Sequence, residues 1–86
     1  MINYILDPTE KGHMKVTTFP YTLKGPIAIA SKNGGFLRFP GWGTGKEVIK
    51  VDENYVYVKS DAKGKIDLFN AHGDKVKEIK EDEVND

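Results

Sequence analysis

Tyr55-Val56-Tyr57-Val58-Lys59-Ser60-Asp61-Ala62-Lys63-Gly64-Lys65-Ile66-Asp67-Leu68-Phe69 is the stretch that decides the fold class. Two short blocks of β-branched and aromatic residues flank a segment of turn chemistry, the signature of a hairpin. Successive strand side chains point to opposite faces, so Tyr55 and Tyr57 share one face and Val56 and Val58 the other. The valines are expected in the core. In the returning block Ile66 and Leu68 alternate with polar neighbours and are expected to point inward as well.

The same rhythm extends both ways from this hairpin. Upstream, Glu47 to Val51 ends at Asp52-Glu53-Asn54, where Asn tolerates the positive φ of a tight turn. Downstream, Asn70-Ala71-His72-Gly73-Asp74 turns the chain into Lys75 to Lys80, which the hairpin context predicts as a strand although Val76 and Ile79 are three apart. Further upstream, residues 26–31 and Phe36-Leu37-Arg38-Phe39 flank Lys32-Asn33-Gly34-Gly35, whose Asn-Gly pair is a strong hairpin signal. At the start, Asp7-Pro8-Thr9-Glu10 carries the cap, proline and glutamate of a single helical turn, which Gly12 ends. Ile2 to Leu6 and Met14 to Phe19 are expected as strands, and Tyr21 to Gly25, bracketed by Pro20 and Pro26, as loop. The sum is one all-β domain over residues 1–80 with six to eight short strands, a small barrel or curled antiparallel sheet whose closure removes exposed edges.

Composition agrees with one small folded unit. Leu, Ile, Val and Phe make up 22 of 86 residues, above the roughly one-fifth below which disorder prevails. A core this small hides only about 60% of the surface its unfolded chain exposes, so association with a partner or a second copy would help it. No apolar run reaches the roughly 18 residues of a membrane span, and no signal-like start is present, which predicts a soluble, cytoplasmic protein. The absence of cysteine removes disulfides, thiolate metal sites and cysteine nucleophiles together. Charges balance at 13 basic and 13 acidic residues. Glu81, Asp82, Glu83 and Asp86 crowd the end, so residues 81–86 read as an acidic, frayed tail on a mildly basic body.

One loop departs from generic β architecture: Phe39-Pro40-Gly41-Trp42-Gly43-Thr44-Gly45-Lys46. Alternate glycines let backbone N–H groups approach an anion, Lys46 adds charge, and Trp42 offers a stacking surface. Arg38, the sole arginine, lies on the strand that opens into the loop and can fork onto a phosphate or carboxylate. The candidate ligand-binding set is therefore Arg38, Gly41, Trp42, Gly43, Thr44, Gly45 and Lys46. It is not a P-loop, which requires Gly at position 40 and Ser or Thr at 47, where Pro40 and Glu47 stand. The plainer reading is a corner between strands with Trp42 capping the core and Arg38 as a surface charge.

Catalysis finds little support. His72 falls in a turn, and Ser31 and Ser60 have no neighbouring base. Asp7, Glu10 and His13 are spaced by three, but Gly12 breaks the helix that would gather them into a metal site. No cofactor or metal is expected. In size and composition the chain is similar to the small cysteine-free accessory proteins that phages encode against host systems. The first reading is a non-enzymatic binding module for an anionic, nucleotide-like ligand. The second is a protein-binding inhibitor or adaptor anchored on Trp42 and nearby aromatics.

Nucleic-acid binding trails both, because aromatics interleaved with lysines suit a single-strand platform only on a more basic body. The charge balance predicts little affinity for generic DNA or RNA at physiological ionic strength. Fluorescence anisotropy with labelled single strands checks this, and tight, length-dependent binding would reverse the ranking.

Overall fold

In the computed structural model, which describes residues 1–9, 11–12, 14–32, 35–39 and 45–84, nine strands carry almost all of the regular structure. They are β1 (Ile2–Asp7), β2 (Met14–Lys15), β3 (Tyr21–Thr22), β4 (Ile27–Ser31), β5 (Phe36–Phe39), β6 (Glu47–Val51), β7 (Val56–Lys59), β8 (Lys65–Phe69) and β9 (Lys75–Lys80). A short 3-10 turn, Glu81–Glu83, follows β9. Every strand pairing is antiparallel. The strands sort into a four-stranded sheet, β2-β1-β4-β5, and a five-stranded sheet, β3-β6-β7-β8-β9. The all-β expectation holds, but among the described residues the pairing gives two sheets and does not close them into a barrel.

The central core lies between the sheets. Ile2, Ile5, Ile27 and Ile29 of the first sheet meet Val48, Val56 and Val58 of the second, with Val16 and Leu23 filling in from the connections. The two sheets are also tied at both ends of β1. The Ile2 N–H donates to the Glu53 carbonyl at 2.8 Å, where Lys32 also pairs with the Glu53 carboxylate at 2.8 Å. At the other end the Tyr21 hydroxyl, on β3, donates to Asp7 Oδ2 at 2.7 Å.

Ile66 and Leu68 correct the alternation reading. The β7–β8 register sets Val56 opposite Phe69, Tyr57 opposite Leu68, Val58 opposite Asp67 and Lys59 opposite Ile66. Directly opposite residues share a face, so Ile66 and Leu68 lie with Tyr57 on the side away from Val56 and Val58. They are buried there in a second cluster with Ile49, Tyr55, Ile79 and Val84. The sheet thus carries apolar residues on both faces, and Asp67 takes the core-side position. Its Oδ1 has Lys75 Nζ at 3.1 Å as an ion pair, but no well-aligned hydrogen-bond donor among the described residues.

Other local expectations shift for similar reasons. Residues 75–80 form a strand, and the Tyr21–Thr22 segment expected as loop pairs with β6 as a short strand. Of Met14 to Phe19 only Met14–Lys15 pairs. Asp7 does not start a helix: it ends β1, and its Oδ1 accepts hydrogen bonds from the Thr9 N–H and hydroxyl, closing a turn. The Glu81 N–H donates to the Gly64 carbonyl at 2.9 Å, and Val84 packs on the second cluster, so the chain is seated on the sheet through residue 84. No helix among the described residues is long and apolar enough to cross a membrane.

Two apolar faces imply two comparable penalties. Leu68→Ala should cost about 2–5 kcal/mol, in the same range as Ile5→Ala in the central core. Urea unfolding monitored by circular dichroism measures both. A cost below about 1 kcal/mol for Leu68→Ala, the size of an ordinary surface change, would show that its face is open to water.

Candidate functional site

The glycine-rich segment carries the chain from β5, the last strand of the first sheet, to β6 in the second. Gly41, Trp42, Gly43 and Thr44 lie outside the described residues, as does Pro40. The frame around them is defined. On the incoming side, the backbone of Arg38 pairs opposite Ala28 of β4. On the outgoing side, Gly45 has φ +89°, a left-handed conformation that side chains other than glycine adopt with strain,. Its N–H donates to the Leu23 carbonyl at 2.8 Å, and the Leu23 N–H donates to the Lys46 carbonyl at 2.7 Å. These two bonds prolong the β3–β6 ladder past Thr22 opposite Glu47.

Leu23 is fully buried, so the outgoing stem of the loop is fastened to the core. The Gly45 N–H is consumed by that bond and so is not free to meet a ligand. The Lys46 ammonium stands 3.9 Å from the carboxylate of Asp61, whose side chain is wholly exposed. Water screens such a pair strongly, and a better-placed anion can compete for the ammonium.

What holds β3 in place is a buried carboxylate that the alternation pattern does not reveal. Asp7 has no exposed surface. Burial pushes its pKa up, but hydrogen bonds from the Thr9 hydroxyl, the Tyr21 hydroxyl and the Thr9 N–H, with the nearby Lys24 charge, outweigh this and hold it below the usual carboxylate value. Asp52 repeats the device on the second sheet. There burial also opposes ionisation, and bonds from the Tyr55 N–H, the Tyr57 hydroxyl and the Asn54 N–H prevail. Tyr57 is correspondingly pushed up to about 12, by its own burial and then by donating to Asp52. The sequence signal for both is an Asp at a strand end with a donor two residues on; the tyrosine partner comes only from the fold.

These groups support structure rather than chemistry. Asp7 spends its oxygens on Thr9 and Tyr21, and Glu10 and His13, its proposed companions, lie outside the described residues. No cluster of three His, Cys, Asp or Glu side chains able to hold a metal occurs among the described residues. His72 is exposed, and its N–H donates to Asn70 Oδ1 at 2.9 Å inside the turn. Lys75, contacting Asp67 and Glu78, has its pKa raised by them in that order. Of the aromatics read as stacking platforms, Tyr57 is buried with Lys50 Nζ 5.1 Å from its ring centroid, and Tyr4 has Lys15 Nζ at 4.6 Å. Compared with known proteins, the chain matches no family model, no curated protein and no solved structure.

The sign of the pH dependence follows from the direction of the two shifts. A carboxylate whose folded pKa is depressed adds stability that is present above its unfolded value, about 3.9, and is lost as pH falls through the lower folded value. The protein should therefore lose stability as pH falls below about 4. Tyr21→Phe keeps the ring and removes one donor to Asp7. It should cost about 1.5–3 kcal/mol at neutral pH, the usual worth of a hydrogen bond to a charged group, and less in strong acid. Urea midpoints measured from pH 7 to pH 2 check this, and an unchanged difference between variant and parent across that range would contradict it.

Proposed function

We propose that this chain is a non-enzymatic binding module whose glycine-rich crossing from β5 to β6 holds an anionic, nucleotide-like ligand. The observation that carries the reading is the fastened stem. Gly45 and Lys46 are locked to buried Leu23 by two backbone hydrogen bonds, so a short loop rich in glycine leaves a rigid base with a lysine at its root. A fixed stem reduces the ordering cost of binding at the segment it anchors. Arg38, on the incoming strand, supplies a second cation at the other end of the loop. Neutral overall charge suits a small ligand, because only the local field needs to be positive. A cysteine-free chain suits a reducing compartment, and the cytoplasm is where this module is proposed to act, as a ligand-sequestering protein of the phage accessory kind.

A second reading, an inhibitor or adaptor for another protein, is favoured by one feature. Leu37, three residues before Pro40, is 40% exposed on β5, and an apolar residue there could extend an interface centred on Trp42.

The two readings separate by substitution. Isothermal calorimetry against a panel of nucleoside mono- and diphosphates should detect binding that Gly43→Val abolishes and that Lys46→Ala and Arg38→Ala each weaken about tenfold, the worth of one charge-assisted contact. A protein interface should instead lose most from Trp42→Ala. Each variant is compared only after its unfolding temperature matches the parent. Binding that survives both Gly43→Val and Lys46→Ala reduces the loop to a corner.

A further inference from the structure

Each sheet has two edges, and three of the four are guarded. β2 and β3 are two residues long. β9 carries Lys75, Lys77, Glu78 and Lys80, and its pairing with β8 contains a register shift. Short length, charge and bulges are the means by which proteins blunt an edge against further pairing. β5 is twice the length of β2 or β3, carries a single charge, Arg38, and has no bulge. It runs four residues, Phe36-Leu37-Arg38-Phe39, in register with β4 without a shift, and it ends the first sheet.

The hydrogen-bonding phase of β5 can be read from its hairpin. The Ser31 N–H donates to the Gly35 carbonyl at 2.9 Å, which makes 31 and 35 a hydrogen-bonded pair. In an antiparallel ladder such pairs alternate with non-bonded ones. With Ile29 opposite Leu37 and Ile27 opposite Phe39, those two pairs bond inward to β4. Phe36 and Arg38, opposite Ala30 and Ala28, therefore turn their N–H and C=O groups to the edge that no other described strand occupies. The far side of β4 agrees: the Val16 N–H donates to the Ile5 carbonyl at 3.0 Å, so Ile5, opposite Ile29, bonds away from β4, while Tyr4 and Leu6 bond toward Ala30 and Ala28.

We propose that β5 is a self-association edge at which two copies of this chain pair antiparallel about a two-fold axis through Leu37. This surface does not depend on the ligand reading of the loop. A second copy is the occupant because the edge is complementary to itself. In the pairing centred on Leu37, Phe36 of each copy lies opposite Arg38 of the other, and the four outward N–H and C=O groups of each strand meet in four hydrogen bonds. Leu37 meets Leu37 at the axis as a non-bonded pair, the closer of the two cross-strand spacings. That accounts for an exposed leucine in the middle of an ordered strand. Isologous contacts of this kind close after two copies and do not propagate. Phe39 lies opposite Gly35 of the other copy. The contact is small, which places the dimer in about the micromolar to millimolar range.

Proline at position 38 tests the phase as well as the contact. The Arg38 N–H faces outward, so Arg38→Pro removes an intermolecular donor and spares the β4 ladder, the one arrangement in which an edge strand accepts proline. Sedimentation equilibrium from about 10 μM to 1 mM should show a monomer–dimer equilibrium for the parent and for Arg38→Gln. Association should weaken at least tenfold for Arg38→Pro, with the sheet spectrum retained. Should Arg38→Pro unfold, Leu37→Lys serves instead, since it sets two like charges opposite each other at the axis and leaves the backbone unaltered. A parent that stays monomeric to 1 mM, or a dimer indifferent to the folded variant, overturns the proposal.

Discussion

The register between β7 and β8 is the constraint on which the rest of the structure depends. Because a strand has a side-chain period of two, one residue of slip would exchange every side chain between faces. With Ser60 N–H donating to the Lys65 carbonyl at 3.1 Å, four residues, Asp61 to Gly64, form the loop, and Gly64 accepts the positive φ of +78° that closes it. This count sets Val58 against Asp67 and Tyr57 against Leu68. One face of the sheet then closes the central core, and the other needs a cover of its own, provided by Tyr55, Ile49, Ile79 and Val84.

That double burial decides where function can sit. With both faces of β7 and β8 occupied by packing, the sheet is not an open platform, and its best-placed aromatic, Tyr57, is committed to Asp52 and the second cluster. Among the described residues, packing at the β5 edge leaves a large apolar side chain, Leu37, exposed on the first sheet. The buried Asp7 connects the two regions. It holds Tyr21, Tyr21 belongs to β3, and the next residue but one, Leu23, clamps Gly45 and Lys46. A stabilising carboxylate and the loop stem are thus parts of one hydrogen-bonded chain.

How much of this the sequence discloses depends on how local the determining physics is. The meander from Glu47 to Lys80 is legible because turn residues and β-branched runs are local signals. The Asn33-Gly34 hairpin is legible for the same reason: β4 and β5 flank it as expected, though Asn33 and Gly34 themselves lie outside the described residues. The face of Ile66 and Leu68 is not legible, since alternation gives two equivalent answers and only the length of the hydrogen-bonded loop chooses between them. Tyr21–Thr22 escapes detection because a two-residue strand has no period. Asp7 is recognisable as a cap but not as the cap of a turn, since an acceptor side chain followed by Pro and Thr serves a helix or a turn alike. Of the loop residues, Gly45 and Lys46 are placed and the Arg38 backbone is placed on β5, while the chemistry assigned to Gly41, Trp42, Gly43 and Thr44 rests on their residue types alone.

The central claim is that Leu68 and Val58 occupy opposite faces of one sheet. A methyl-resolved NOESY spectrum tests it without any substitution. The account predicts cross-peaks linking the Leu68 and Ile66 methyls to the cluster formed by Tyr57, Ile79 and Val84, and linking the Val58 methyls to the core that contains Ile5 and Ile29. Cross-peaks between the Leu68 methyls and those of Ile5 or Ile29, with none to the Tyr57 group, would contradict it.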